Sequence, residues 1–291
     1  MTDAIIDPTI ATDPAPLTHE SVVPISPLVR RIVAANPSHM TGPGTNTYVV
    51  GTADGRLAVI DPGPDDRAHL DAILSVGADR IAWILCTHTH PDHSPGAAAL
   101  VEATGATVMA WSNRGGLRVD RRISDGFVLE GDGFRIEAVH TPGHAGNHLC
   151  FLLREEGLLF SGDHIMQGST VVITPPDGDM GAYLASLAKV RALRPTAIAP
   201  GHGHVIIDPD AKIDWYVAHR LERESQLHEL LIGMGSARVA QLVEAAYVDL
   251  DPVLIPMAKR SVHAHLRKLA DDGLVSGSGA RGVWHAPARD R

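Results

Sequence analysis

The chain has 291 residues, of which 44% are hydrophobic and 20% are charged, a balance that is ordinary for a soluble globular protein. This length suffices for one large core or for two domains. With a formal net charge of −9, the chain lacks the overall basic character of proteins that bind phosphates strongly and non-specifically. The first twenty residues have neither the basic start nor the apolar stretch of a signal peptide, and no run is long enough to span a membrane. We therefore expect a cytoplasmic protein.

The segment before residue 25 is punctuated by proline and predicts a flexible N-terminal arm over residues 1–24. From there to residue 210 strand-like apolar runs alternate with helical segments, which favours a sheet-rich centre with helices outside it. The strands that this pattern predicts are 47–51, 57–60, 81–86, 107–111, 134–140, 149–153 and 158–161. A helix is predicted over residues 182–193.

The segment CTHTHPDH, residues 86–93, places three histidines and one aspartate at the end of a buried strand. Loops that leave such strands are common positions for functional sites, and imidazole and carboxylate groups are typical zinc ligands. His88 and His90 alternate in an extended segment and can point the same way, whereas Asp92 and His93 follow a proline that turns the chain. One loop can therefore serve two adjacent metal ions.

Three later segments share a pattern of an apolar run, a glycine and a ligand-type side chain. TPGH ends at His144, SGD ends at Asp163, and PGHG contains His202. Each alone is typical of an ordinary turn. In this order and spacing, the four segments together indicate a metal site.

HTHPDH, TPGH, SGD and PGHG in this succession resemble the metallo-β-lactamase superfamily of metal-dependent hydrolases, over roughly residues 25–208. The resemblance implies an α/β fold, a four-layer αββα sandwich, over residues 25–210. The ligands that it implies are His88, His90 and His144 for the first metal, Asp92, His93 and His202 for the second, and Asp163 as a bridge between them.

Two adjacent divalent metals lower the pKa of a bridging water, which predicts hydrolysis by a metal-bridging hydroxide. Asp92 is the candidate catalytic residue, because a metal-bound carboxylate can also orient that hydroxide. The ligand types suit zinc, and manganese or iron can occupy similar sites.

Five further residues lie close to these motifs and are weaker candidates. The resemblance implies an acid at Asp61 that supports the ligands, although a turn residue before Pro-Gly needs no function. Thr87 could hydrogen-bond within the site or be an ordinary strand threonine. The candidates for leaving-group protonation or substrate contact are His148, His164 and His204.

From residue 211 onwards the pattern changes to helices, predicted over 213–232, 237–247 and 258–270, followed by two short strands around a glycine-rich turn. Residues 211–291 resemble a winged helix, a domain found at this end of the β-lactamase-like-protein-2 subfamily. A modest basic helix face is formed by Arg260, His263, Arg267 and Lys268, for which a solvated surface is the alternative interpretation. The domain could instead cover the rim of the site or form a homodimer interface.

Three functional hypotheses follow. Residues 36–51, with the segment TNTY, resemble the same subfamily, some of whose members cleave single-stranded RNA; phosphodiester hydrolysis of such RNA is the first hypothesis. The second is hydrolysis of a small acyl thioester or lactone, as in glyoxalase II-like relatives. The third is a non-catalytic binding module, which a ligand set for two metals disfavours. A mononuclear iron oxygenase is a further alternative, and the expected location disfavours a β-lactamase.

Overall fold

Two β-sheets form the centre of the structure, a computed structural model that describes residues 15–287. The strands of the first sheet lie side by side in chain order: β1 (Val23–Pro24), β2 (Val29–Val33), β3 (Asn46–Val50), β4 (Leu57–Ile60), β5 (Ile81–Leu85), β6 (Thr107–Ala110) and β7 (Arg121–Arg122). The second sheet continues the chain with β8 (Val128–Glu130), β9 (Arg135–His140), β10 (Leu149–Leu153), β11 (Leu158–Gly162) and β12 (Ala197–Pro200). Strands β4 to β7 pair in parallel, as do β11 and β12.

The main core lies between the two sheets. Because side chains alternate along a strand, every second residue of each sheet faces the other sheet. Tyr48 and Ile60 of the first sheet thus share one buried cluster with Phe151 and Phe160 of the second. The rings of Tyr48 and Phe160 lie 5.0 Å apart.

Helices cover the outer face of each sheet. They are α1 (Arg67–Leu74) and α2 (Ala97–Thr104) on the first sheet, and α3 (Met180–Ala192) and α4 (Pro209–Met234) on the second. Ile73 and Leu100 pack on the first sheet, whereas Leu187 and Tyr216 pack on the second. The predicted four-layer αββα sandwich is therefore confirmed.

The C-terminal part of the chain forms a separate small core around Trp284, which is fully buried. It contains α5 (Val239–Ala246) and α6 (Ile255–Asp271), with a small sheet of β13 (Ser236–Arg238), β14 (Ser276–Gly277) and β15 (Val283–His285). Leu227 and Leu231, from the second half of α4, belong to the same cluster. This arrangement confirms the predicted winged helix, and α4 links it to the αββα sandwich.

Several elements were missing from the pattern-based prediction, among them β2 and α1. Helix α1 has eight residues, and it begins after Asp66, whose carboxylate accepts a hydrogen bond from the backbone N–H of His69. Helix α4 begins earlier than expected, at Pro209, because Asp208 caps it and a proline suits the first helical position.

The N-terminal arm expected over residues 1–24 lies partly outside the described residues, which begin at 15. Residues 15–24 run beside β2, where the buried Arg31 donates hydrogen bonds to the carbonyls of Ala15 and Pro16, at 3.0 and 3.1 Å. The Glu20 carboxylate lies 2.8 Å from the ring of His69 on α1. Within residues 15–287, no helix has the length and apolar character needed to cross a bilayer.

Candidate metal centre

Four loops at one edge of the sandwich bring together the seven candidate ligands from the sequence. Each loop follows the end of a strand, namely β5, β9, β11 and β12. The ligand atoms fall into two overlapping groups, and within each group they lie no more than 4.8 Å apart. The groups are His88, His90, His144 and Asp163, and Asp92, His93, Asp163 and His202. Asp163 belongs to both groups, as expected for a bridging carboxylate.

Three imidazole nitrogens converge in the first group. Nδ1 of His90 lies 2.9 Å from Nε2 of His88 and 3.0 Å from Nε2 of His144. The Asp163 carboxylate completes the group, with Oδ2 at 3.6 Å from Nε2 of His144. His90 is partly exposed and the other three are buried, so the group opens to solvent on the side of His90.

The second group places two imidazoles against two carboxylates. Nε2 of His93 lies 3.3 Å from Asp92 and 3.2 Å from Asp163. Nε2 of His202 lies at the same two distances from the same carboxylates. The Asp92 side chain is 25% exposed, whereas both histidine side chains are buried. Asp92 therefore lies on the solvent-exposed side of the cluster.

Backbone carbonyls determine the proton positions on two of these rings. Nδ1 of His144 lies 2.9 Å from the carbonyl oxygen of Val172, and Nδ1 of His202 lies 3.1 Å from that of Gly44. Because a carbonyl only accepts hydrogen bonds, each Nδ1 carries a proton. A neutral ring then has its lone pair on Nε2, which points into the cluster. Such carbonyl contacts are typical of metal-binding histidines.

Asp61 orients two further histidines. Its carboxylate accepts hydrogen bonds from the backbone N–H and the hydroxyl of Thr87, both at 2.7 Å, and contacts Nδ1 of His93 at 2.9 Å. Since the Thr87 hydroxyl donates its proton to Asp61, it can only accept from Nδ1 of His88, at 3.0 Å. Asp61 thus orients the ring of His93 by a direct contact, and it orients the ring of His88 through the hydroxyl of Thr87.

Burial and neighbouring charges shift the pKa values in the cluster in opposite directions. Burial opposes a charge on His93, but the surrounding carboxylates, Asp92 first, raise its pKa well above the usual value. Burial likewise opposes a charge on His202, whose pKa Asp163 raises to about 9. Burial favours the neutral form of Asp92, yet His93 and His202 hold its pKa well below the usual range. A bound cation would replace the protons on these histidines as the partner of the carboxylates.

The donor set fits divalent cations. Nε2 of His93, Nε2 of His202 and Oδ1 of Asp163 are buried and have no hydrogen-bond partner. Buried polar atoms are costly when unpaired, and three such atoms facing one another are better explained by a shared cation than by packing. Imidazole nitrogen and carboxylate oxygen are ligands that zinc accepts readily.

Comparison with known proteins identifies the family. The profile described as Metallo-beta-lactamase superfamily matches residues 40–202. The chain belongs to this superfamily. The profile described as Beta-lactamase associated winged helix domain matches residues 239–284, which agrees with the C-terminal fold. As a member of the metallo-β-lactamase superfamily, the protein is a hydrolase.

Two relatives and one solved structure span nearly the whole chain. "Atrochrysone carboxyl ACP thioesterase AgnL7" of Paecilomyces divaricatus is 34% identical over 90% of this chain and 86% of its own. "Beta-lactamase-like protein 2 homolog" of Drosophila melanogaster is 34% identical over 87% of this chain and 91% of its own. The structure of a beta-lactamase domain protein from Burkholderia ambifaria has a TM-score of 0.81 at 19% identity, covering 94% of this chain and 96% of its own. That structure is similar in fold.

The remaining candidates from the sequence lie in different environments. His148 and His164 are fully buried, with Nδ1 of His148 2.9 Å from the hydroxyl of Thr141. Burial lowers the pKa of His164 to about 3, so its ring is neutral. Both rings are closed to solvent in this structure, and a role in leaving-group protonation or substrate contact stays a prediction. His204 is only partly buried, and its backbone N–H faces the side chain of Gln167.

Two glycines allow the ligand loops to approach their neighbours. A Cβ atom on Gly143 would lie 2.4 Å from Cα of Tyr183 in α3, and the φ angle of Gly143 is +142°. A Cβ atom on Gly201 would lie 2.8 Å from Oδ1 of Asp163. These glycines, which precede His144 and His202, are required by the close packing of the loops that carry the candidate ligands.

The sequence analysis missed two contributors to this superfamily site, the carbonyls of Gly44 and Val172. Gly44 lies on the β2–β3 loop, which supplies no ligand side chain, and Val172 lies nine residues after Asp163 on the connection between β11 and α3. Every residue has a carbonyl group, so no sequence pattern marks these two. Near Gly44, the sequence offers only the Gly-Pro-Gly segment at 42–44. This segment predicts a tight turn but not the contact of that turn with His202.

Proposed function

We propose that this protein hydrolyses an acyl thioester with two divalent cations, zinc in the first instance. The proposed ligands are His88, His90, His144 and Asp163 for one cation, and Asp92, His93, Asp163 and His202 for the other. The unpaired buried nitrogen and oxygen atoms of this cluster support the proposal. The bound cations would supply Lewis acidity towards the thioester carbonyl and acidify a water molecule.

Asp92 is the residue that this proposal places closest to the reacting water. Its carboxylate is ionised, because the pKa is held well below the usual range, and it lies on the exposed side of the cluster. An ionised carboxylate there can accept a hydrogen bond from the attacking water and orient it towards the carbonyl carbon. His93 and His202 hold the Asp92 carboxylate in place at 3.3 Å each.

The observation that carries the choice of substrate is the similarity to the ACP thioesterase of Paecilomyces divaricatus over 90% of this chain. The chemistry of the thiolate leaving group is consistent with a thioester substrate. A thiolate, with a pKa of about 8.5, leaves near neutral pH without a strong proton donor, whereas an alkoxide needs one. The two histidines considered as donors, His148 and His164, are fully buried in the structure.

Hydrolysis of single-stranded RNA is a second candidate, favoured by the winged helix and by the similarity to the Drosophila protein. The basic helix face considered for nucleic acid is partly neutralised. Lys268 forms ion pairs with Glu224 at 2.8 Å and with Asp272 at 2.7 Å. This pairing reduces the positive charge available to phosphates and makes RNA the weaker candidate.

The test compares both substrate classes on the same zinc-loaded preparations. A long-chain acyl pantetheine thioester and a labelled single-stranded RNA are incubated with the native protein, with Asp92→Ala and with Asp65→Ala, which removes an exposed carboxylate outside the cluster. We expect thioester cleavage by the native protein and by Asp65→Ala, and a loss of at least about 100-fold in Asp92→Ala. Cleavage of RNA alone, lost in the same variant, would replace the thioester proposal by the second candidate. Equal activity in all three proteins would refute this site.

A further inference from the structure

The ring of His144 is oriented by a loop, residues 166–172, whose side chains are not part of the metal-binding groups. The proton on Nδ1 of His144 is donated to the carbonyl of Val172 at 2.9 Å. The position of that carbonyl therefore determines where Nε2 of His144 points. Whatever holds the 166–172 loop also controls the geometry of this ligand.

Tyr216 of α4 binds the first half of the loop. Its hydroxyl donates to the carbonyl of Ser169 at 2.8 Å and accepts from the backbone N–H of Met166 at 2.9 Å. Tyr216 is fully buried, so these bonds are shielded from water. The helix thereby fixes the path of the loop after β11.

Arg220, one turn further along α4, binds the second half of the loop. Its Nη2 donates to the carbonyl of Val171, the residue next to Val172. The side chain is 3% exposed, and its guanidinium lies 5.5 Å from the centre of the Tyr183 ring. A buried cation is costly, and the carbonyl and the ring face together compensate part of that cost.

The rigid guanidinium makes Arg220 suitable for positioning a peptide group. The planar guanidinium group can direct its N–H donors in fewer ways than an ammonium group, so it restricts the position of its acceptor more tightly. The Val171 and Val172 carbonyls belong to consecutive peptide units of one chain segment. Holding one of them restricts the other, and hence restricts the ring of His144.

We propose that Arg220 is a positioning residue for the metal-binding group that contains His144. The proposal rests on the proposed metal centre and adds a selective effect within it. Nδ1 of His202 is bound by Gly44, and Nδ1 of His93 by Asp61, neither of which lies on the 166–172 loop. Arg220 therefore acts on a ligand, His144, that belongs to only one of the two groups. Since α4 continues into the winged-helix core, this residue also connects that domain to one half of the metal centre.

Zinc binding measured by competition with a chromophoric chelator tests this proposal without relying on activity. The native full-length protein is compared with Arg220→Met and with Arg223→Met. Arg223 is a matched control, because it lies one turn on, bonds to Ala246 and covers the ring of Tyr247, all outside the 166–172 loop. We expect two binding steps in the native protein and in Arg223→Met. In Arg220→Met, one step should weaken by about tenfold to 100-fold while the other is unchanged.

The absorption spectrum of the cobalt-loaded proteins provides a second readout, because only the ligand field of the affected site should change. Unchanged binding in both steps, or an equal loss in both, would overturn the proposal. If Arg220→Met does not fold, Arg220→Lys and Tyr216→Phe perturb the same loop more gently, and unchanged binding in both of them would overturn it. A native protein that binds no zinc would refute the metal centre itself, which is a different result from a native protein with two steps and an insensitive variant.

Discussion

Thr87 donates both its backbone N–H and its hydroxyl to the carboxylate of Asp61, at 2.7 Å in each case. The same carboxylate contacts Nδ1 of His93, so a single buried side chain orients candidate ligands of both groups. Asp61 itself has a φ angle of +49°, a conformation that is uncommon for residues other than glycine. This strain at the end of β4 places the carboxylate under the histidine loop.

Replacing Asp61 by asparagine should weaken metal binding. The amide has nearly the same size, but its NH2 group must face a donor, either Thr87 or the protonated Nδ1 of His93. We expect zinc affinity to fall by about tenfold to 100-fold and the free energy of unfolding to fall by about 1–3 kcal/mol. Chelator competition and denaturant unfolding measure these two effects. Asp132→Asn, which alters an exposed ion pair with Arg56, should leave zinc affinity unchanged; an equal loss there would contradict the assignment.

Removing the metals should destabilise the folded protein. Without cations, Nε2 of His93 and of His202 only form ion pairs with the Asp92 and Asp163 carboxylates, at 3.2 to 3.3 Å. A site with free zinc at about 1,000 times its Kd contributes about 4 kcal/mol to the free energy of unfolding. Thermal unfolding with zinc and with a chelator should therefore differ in Tm by several degrees. Identical Tm values would argue against metal binding by the native state.

Alanine at position 143 should disturb the fold and the metal site together. Its Cβ would overlap the backbone of Tyr183, at 2.4 Å from Cα, so the loop that contains His144 or helix α3 must move. We expect a loss of about 2–4 kcal/mol in the free energy of unfolding, with weaker zinc binding. Gly116→Ala is the control, because Gly116 also has a positive φ, +85°, but no neighbour within 4 Å. The Gly116→Ala substitution should lower the free energy of unfolding by about 1 kcal/mol, from backbone strain alone, and leave zinc binding unchanged.

His219 should make the folded state sensitive to mild acid. Its ring stacks on Trp215, and burial, followed by the charges of Arg220 and Arg223, lowers its pKa to about 4. The unfolded chain has a histidine pKa of about 6.5 and therefore binds a proton first as the pH falls. The free energy of unfolding contributed by the neutral ring is complete above about pH 6.5 and is lost progressively towards about pH 4.

Denaturant unfolding of the metal-free protein at about pH 7.5 and about pH 5 measures this effect. The loss of stability between the two pH values should be smaller in His219→Gln than in the native protein, by roughly 1 kcal/mol after allowance for partial exposure. An equal loss in both proteins would show that the ring is not held in its neutral form.

The candidate ligands could be predicted from the sequence because their side chains carry the chemistry themselves. Four segments, from HTHPDH to PGHG, follow strand ends and contain imidazole or carboxylate groups, in three of them next to a glycine. The structure brings all seven side chains together. The strand pattern was equally readable, because buried strands such as β5 and β10 are continuous apolar runs. The short helix α1 was missed, since eight residues give too few turns for a clear period.

What the sequence by itself determined was therefore the fold family, the order of its layers and the residues that can bind metal. The tertiary structure decided which atoms control those ligands. The carbonyls of Val172 and Gly44, the buried guanidinium of Arg220 and the full burial of His148 and His164 depend on contacts between segments far apart in the chain. Side-chain chemistry is local and can be read from a sequence, whereas burial and hydrogen-bond partners exist only after distant segments have packed together.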